Sequence, residues 1–82
     1  MIQAPIEATL DIVVDSLLPG RGFADGGMRS ADIFELGANS MVAVRLVAKI
    51  KRELGVTIAV RDVFTGRTIN AIAERMREDA SS

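Results

Sequence analysis

The chain of 82 residues has no cysteine and no histidine. The first absence excludes disulfide staples and thiolate chemistry; the two together remove the commonest zinc ligands and the usual general base, and leave no metal site to expect. Lack of cysteine says little about redox compartment. No apolar run approaches the roughly 18 residues that a membrane span requires. Met1-Ile-Gln-Ala-Pro5 lacks the charged n-region and apolar h-region of a secretory signal. The expectation is a protein with no membrane partner that stays, by default, in the cytoplasm. Nor is one charge in excess: the formal net charge is −1, so no global field draws in nucleic acid.

Apolar residues make up 49% of the chain, enough for a core without a metal or disulfide. The length fits one domain, residues 1–82 with a core over about 6–77, near the lower limit for self-sufficiency. Charge is unevenly placed. Residues 1–39 hold two basic and six acidic side chains, and residues 40–82 eight basic and five acidic. The positive half therefore begins at Ser40.

Pro5 suits the first position of a helix, and Ile6, Leu10, Val13, Val14 and Leu17 fall on one helical face, with Glu7, Asp11 and Asp15 down the other side. Pro19-Gly20 stops this first helix, expected over about 6–18. A 21-residue stretch follows to Asn39. Loops much longer than about 15 residues are uncommon in compact domains and tend to be functional. Its apolar residues Phe23, Met28, Ile33, Phe34 and Leu36 predict that it packs across the helices, and Ser30-Ala-Asp32 is suited to open a single helical turn.

The second helix, expected over about 41–54, carries a core stripe of Ala43, Leu46, Val47, Ile50 and Leu54. A second apolar line, Met41, Val44 and Ala48, lies beside it, next to a basic line of Arg45, Lys49 and Arg52. That is more apolar surface than one core contact needs, so either a partner or the preceding loop covers it. Gly55 suits the end of this helix. Val56-Thr-Ile-Ala-Val60 alternates like a strand, but has no second strand to pair with and reads as an extended connector. Arg61-Asp-Val-Phe64 reads as a short helical turn sending Val63 and Phe64 to the core. Thr68 caps a last helix whose Ile69, Ile72, Ala73 and Met76 face inward and whose Glu74, Arg75, Arg77 and Glu78 face water, with Asp79-Ala-Ser-Ser82 frayed. The fold class is all-α: a small four-helix bundle, three main helices and one short, with a long loop between helices one and two.

The chain is organised around Ser40, at the end of that loop. It could be the N-cap of helix two, but Asn39 is equally suited, and with Asn39 as cap Ser40 is free to point outward. A hydrolytic serine needs a base, ordinarily histidine, and none exists. Asp32 and Glu35 are poor substitutes, so the chain is not read as an enzyme. A serine modified by another enzyme needs only access and a suitable electrostatic setting. A helix N-terminus supplies that setting for an anion such as a phosphodiester.

The run Asp32-Ile-Phe-Glu-Leu-Gly-Ala-Asn-Ser-Met41, then Val44-Arg-Leu-Val-Ala48, Glu53-Leu-Gly-Val56, Val63-Phe64 and Thr68-Ile69, resembles the phosphopantetheine-binding acyl and peptidyl carrier proteins over about residues 6–77. The resemblance implies that Ser40 receives 4′-phosphopantetheine from coenzyme A through a phosphopantetheinyl transferase. The arm's thiol then holds an acyl or aminoacyl group as a thioester, and the protein itself catalyses nothing. The text around helix two looks closer to peptidyl carriers of nonribosomal peptide or hybrid polyketide biosynthesis than to fatty-acid carriers. Fatty-acid carriers present an acidic helix two, whereas Arg45, Lys49 and Arg52 stand here, favouring partners with acidic or apolar docking surfaces. Two positions depart from the family pattern: Asn39 stands where aspartate or histidine is common, and Ala38 where a second glycine often stands. Asn39 keeps the capping ability of aspartate and drops its charge.

By the same resemblance, an adenylating or acyl-transferring enzyme loads the arm, and a condensing enzyme or acyltransferase unloads it. Met41, Val44, Arg45 and Ala48, with Phe34 and Leu36 of the loop, are the candidate partner surface. The extent of the sequence suggests a free-standing carrier acting in trans, although a domain excised from a larger synthase would read the same; a monomer is the default. The alternatives are a polyketide-type or other acyl carrier with cargo that is not an amino acid, a non-covalent helical interaction domain in which Ser40 is only a cap, and a DNA-binding module using the basic line. The last is disfavoured by the negative overall charge and the lack of a helix-turn-helix.

Overall fold

A computed structural model describes residues 5–81, with side chains up to residue 78. Four helices follow one another: α1 (Ile6–Leu17), α2 (Ser40–Leu54), α3 (Val60–Gly66) and α4 (Ile69–Ser81). Among the described residues there is no strand, so the all-α four-helix expectation holds. α1 packs on α2 and α4, and α3 closes the ring by packing on the same two helices.

In α1 the apolar stripe behaves as its spacing predicts: Leu10, Val13 and Val14 are buried, with Ile6 and Leu17 packed against them. Two expectations need correction. Pro5 stands just outside the helix in extended conformation, where its carbonyl accepts the N–H groups of Ala8 and Thr9. The acidic line does not face water as a whole, because Asp11 is only 2% exposed. It lies about 100° round the helix from Leu10, on the flank rather than the back. There Arg29 reaches it, with Nη2 2.8 Å from Oδ2 and Nε also donating to the carboxylate. The true back of the helix is Ile12, 61% exposed. Glu7, on the same flank, accepts two hydrogen bonds from Arg77 of α4 at 2.7 and 2.8 Å.

The long loop is folded, as its apolar residues predict. Phe23 and Ile33 are fully buried, while Met28, Phe34 and Leu36 pack on the core from its edge. Burying two such side chains stabilises the fold by roughly 1.5–3 kcal/mol each, so the loop is part of the core. It consists of successive hydrogen-bonded turns. Ser30-Ala-Asp32 opens a turn rather than a helix: Asp32 Oδ1 accepts the N–H groups of Phe34 and Glu35.

The α2 stripe is buried at Ala43, Leu46 and Ile50 and half-buried at Val47 and Leu54. Gly55, at φ 70°, ends the helix in the left-handed region that a glycine enters without steric cost. Residues 55–59 are the extended connector, and Ile58 pins it to the core. α3 is longer than the single turn expected, because Asp62 reaches back to the N–H of Ala59 and nucleates it one residue earlier. Val63 is fully buried, but Phe64 is 38% exposed, contrary to the expectation that both reach the core. Its ring stacks on Phe34 at a centroid distance of 5.0 Å. Thr68 Oγ1 accepts the N–H of Ala71, and Ile69, Ile72, Ala73 and Met76 are buried, so α4 follows its pattern. The backbone stays helical through Ser81 rather than fraying at Asp79; Ser82 lies outside the described residues.

Candidate functional site

The site is built by the handover from loop to α2. Ile33 is the hub of the last turn: its carbonyl accepts the N–H of Leu36 at 3.2 Å and of Ala38 at 3.0 Å. Gly37 sits at φ 116°, where a side chain is strained, and a Cβ there would come within 3.2 Å of the Arg21 guanidinium. Arg21 braces the turn from outside, its Nε donating to the carbonyl of Leu36 at 3.0 Å. The chain then extends through Asn39 (φ −136°, ψ −174°) and enters the helix at Ser40.

Asn39, not Ser40, is the cap: its Oδ1 accepts the N–H of Val42 at 3.0 Å. Ser40 is exposed, and among the described residues its hydroxyl makes no hydrogen bond. The N–H groups of Ser40 and Met41 likewise have no acceptor there, as the first turn of a helix dictates. An exposed hydroxyl thus stands beside two free amide donors at the positive end of a 15-residue helix. This arrangement fits a phosphodiester built on the hydroxyl, which could take up those donors. Among the described residues no carboxylate or other base bonds to the Ser40 hydroxyl.

Below Ser40, α2 turns Met41 (62% exposed), Val44 (54% exposed), Arg45 and Ala48 outward together. The loop therefore leaves this line uncovered. Arg45 and Arg52 are exposed and Lys49 half-exposed, and none of the three is in an ion pair among the described residues. Phe34 and Leu36 are half-buried against the core and offer only part of each side chain. Reading the sequence missed the supports of the site. Arg21 and Arg67 bind loop atoms 15 and 35 residues away in sequence, pairings that no periodicity encodes. An open cleft between α3 and α4, lined by Asp62, Thr65, Ala71, Glu74 and Arg75 among others, includes none of the predicted site residues. No helix of the described residues is long and apolar enough to cross a membrane.

Comparison with known proteins gives a consistent picture. The family profile "Phosphopantetheine attachment site" matches residues 22–76. The chain is similar to a bassianolide nonribosomal cyclodepsipeptide synthetase of Beauveria bassiana, 39% identical over 51 residues, covering 62% of this chain and 2% of the relative. It is similar to the phosphinothricin tripeptide synthetase PhsB of Streptomyces viridochromogenes, 39% identical over 51 residues, covering 62% and 4% respectively. It is also similar to the polyketide synthase ThaG of Burkholderia thailandensis, 34% identical over 77 residues, covering 93% and 1%. The chain thus spans only a few hundredths of the length of these curated relatives.

Proposed function

The chain belongs to the phosphopantetheine attachment-site family, whose prosthetic group is 4′-phosphopantetheine, and from that premise we propose that Ser40 is the residue that carries it. The observation that supports this most is the division of labour at the start of α2. Asn39 holds the cap, leaving the Ser40 hydroxyl exposed and unbonded beside two free amide donors. When attached, the group supplies a flexible arm ending in a thiol that holds acyl or aminoacyl cargo as a thioester. The chain's own residues do the rest. The first turn of α2 accommodates the phosphate, and Gly37 and Ala38 keep bulk away from the approach. Met41, Val44, Arg45 and Ala48 meet the partner enzymes, with the exposed parts of Phe34 and Leu36 at the edge.

In this reading the chain is one carrier domain, catalyses nothing, and works in natural-product biosynthesis. A phosphopantetheinyl transferase modifies it, an adenylating or acyl-transferring enzyme loads it, and a condensing enzyme or acyltransferase takes its cargo. The unpaired cations of α2 favour partners with acidic rims around apolar pockets. Aminoacyl cargo is the first reading, on the likeness to peptide synthetases. Polyketide cargo is the second, favoured by the similarity to a polyketide synthase over 93% of the chain.

The test is incubation with coenzyme A and a broad-specificity phosphopantetheinyl transferase, read by intact mass. The protein gains one phosphopantetheine, and Ser40→Ala gains none. A well-folded protein that gains nothing, or a Ser40→Ala variant that still gains the mass, contradicts the assignment.

A further inference from the structure

Arg67 is the one residue other than glycine with a left-handed backbone among the described residues, at φ 67°. A glycine would occupy that conformation at less cost, so the arginine side chain must offset the strain. Its contacts all converge on the loop that precedes Ser40 or on the end of α3. The Arg67 Nε donates to Asp32 Oδ2 at 2.6 Å. The guanidinium carbon lies 4.9 Å from the centroid of Phe34, whose ring in turn stacks on Phe64 with the planes 18° apart. The Arg67 carbonyl accepts the N–H of Ile33 at 2.8 Å, while its own N–H donates to Val63 at 2.9 Å.

The ion pair alone would carry little, since both side chains are partly exposed (44% and 29%) and such pairs on a surface contribute weakly. The rings and the backbone bond make it a clamp. Phe34 is held through its ring by Phe64 and Arg67, and its neighbours are held through Asp32 and Ile33. Each held residue also builds the turn toward the serine. Asp32 Oδ1 caps residues 34 and 35, and the Ile33 carbonyl takes the N–H of Ala38, one residue before the cap Asn39. Arg67 therefore connects by direct bonds to the turn that sets where α2 begins.

We propose that Arg67 is a positioning residue: by clamping residues 32–34 to the end of α3 it fixes the turn that presents Ser40 to the phosphopantetheinyl transferase. This rests on the reading of Ser40 as the attachment residue.

The discriminating variant is Arg67→Gly, which deletes the guanidinium and also relieves the left-handed backbone. Two quantities are read on the full chain. In hydrogen exchange, the amides of residues 34–38 open about tenfold faster than in the wild type, while those of α1 and α4 are unchanged, as joint loss of the Asp32 bond and the Phe34 ring contact predicts for a local opening. In the transferase reaction, KM for the protein rises about three- to tenfold with kcat nearly constant, the pattern of lost substrate presentation. Unchanged exchange in the loop overturns the clamp. Faster exchange with an unchanged KM overturns its role in presentation and leaves Arg67 a structural contact. A wild-type protein that accepts no phosphopantetheine removes the premise instead, and does so without altering the exchange result. Should Arg67→Gly unfold, Asp32→Asn keeps an acceptor for the turn, weakens the bond to Arg67, and reads the same two quantities.

Discussion

The side-chain oxygen of Asn39 accepts the N–H of Val42 at 3.0 Å, so the N-terminus of α2 is capped without help from Ser40. The cap role thus falls to Asn39 alone. Asn39→Ala should destabilise the protein by about 1 kcal/mol, as loss of a cap does. In a domain of this size that lowers the melting temperature by roughly 4–8 °C. Ser40→Ala should change stability by no more than about 0.5 kcal/mol, as for a surface site without a cap role. Thermal unfolding of the two variants checks this. The reverse ranking would mean that Ser40 is the cap.

The loop between α1 and α2 should behave as core. Phe23 and Ile33 are both 0% exposed. Phe23→Ala should cost about 3–5 kcal/mol and Ile33→Ala about 2–5 kcal/mol, the usual range for a cavity left by a large side chain. Marginal domains have about 5–15 kcal/mol in total, so either variant should be visibly weakened in urea unfolding. Costs below about 1 kcal/mol would mean that the loop peels away without disturbing the bundle.

Acid should weaken the fold through two carboxylates. The hydrogen bonds from Arg77 hold Glu7 below its ordinary value of 4.5, and the one from Arg67 holds Asp32 below its ordinary 3.8. A carboxylate with a depressed folded pKa contributes stability above its unfolded value and loses it as pH falls through the folded one. With no histidine in the chain, stability should be nearly flat between about pH 5 and 7 and fall below about pH 4.5. Arg77→Met should shrink the acid-dependent part by Glu7's share. Urea unfolding from pH 7 to pH 3 measures it, and an acid limb identical in Arg77→Met and wild type would contradict the assignment to Glu7.

The helices were legible because their cores repeat at helical spacing. Leu46 and Ile50 in α2, and Ile69, Ile72 and Met76 in α4, are buried where the spacing puts them. At the candidate site the sequence left the cap open between Asn39 and Ser40; the structure gives it to Asn39 and leaves Met41 and Val44 exposed below it. Asp11 and Phe64 were misread in opposite directions. A carboxylate on the flank of α1 was buried by an arginine 18 residues on, and an aromatic in α3 was held at the surface by a ring from the loop. Both outcomes depend on what the loop brings alongside. Its turns are set by long-range bonds such as that of Arg67 to Asp32, which leave no period in the sequence.

The account stands or falls on which hydroxyl carries the phosphopantetheine. Tryptic cleavage after Arg29 and Arg45 releases residues 30–45 as one peptide holding both Ser30 and Ser40. The protein treated with coenzyme A and transferase should be digested and that peptide fragmented in the mass spectrometer. The account predicts that every fragment containing Ser40 carries the added mass and that fragments ending before it, Ser30 included, do not. The added mass on Ser30, or on a peptide outside residues 30–45, would contradict it.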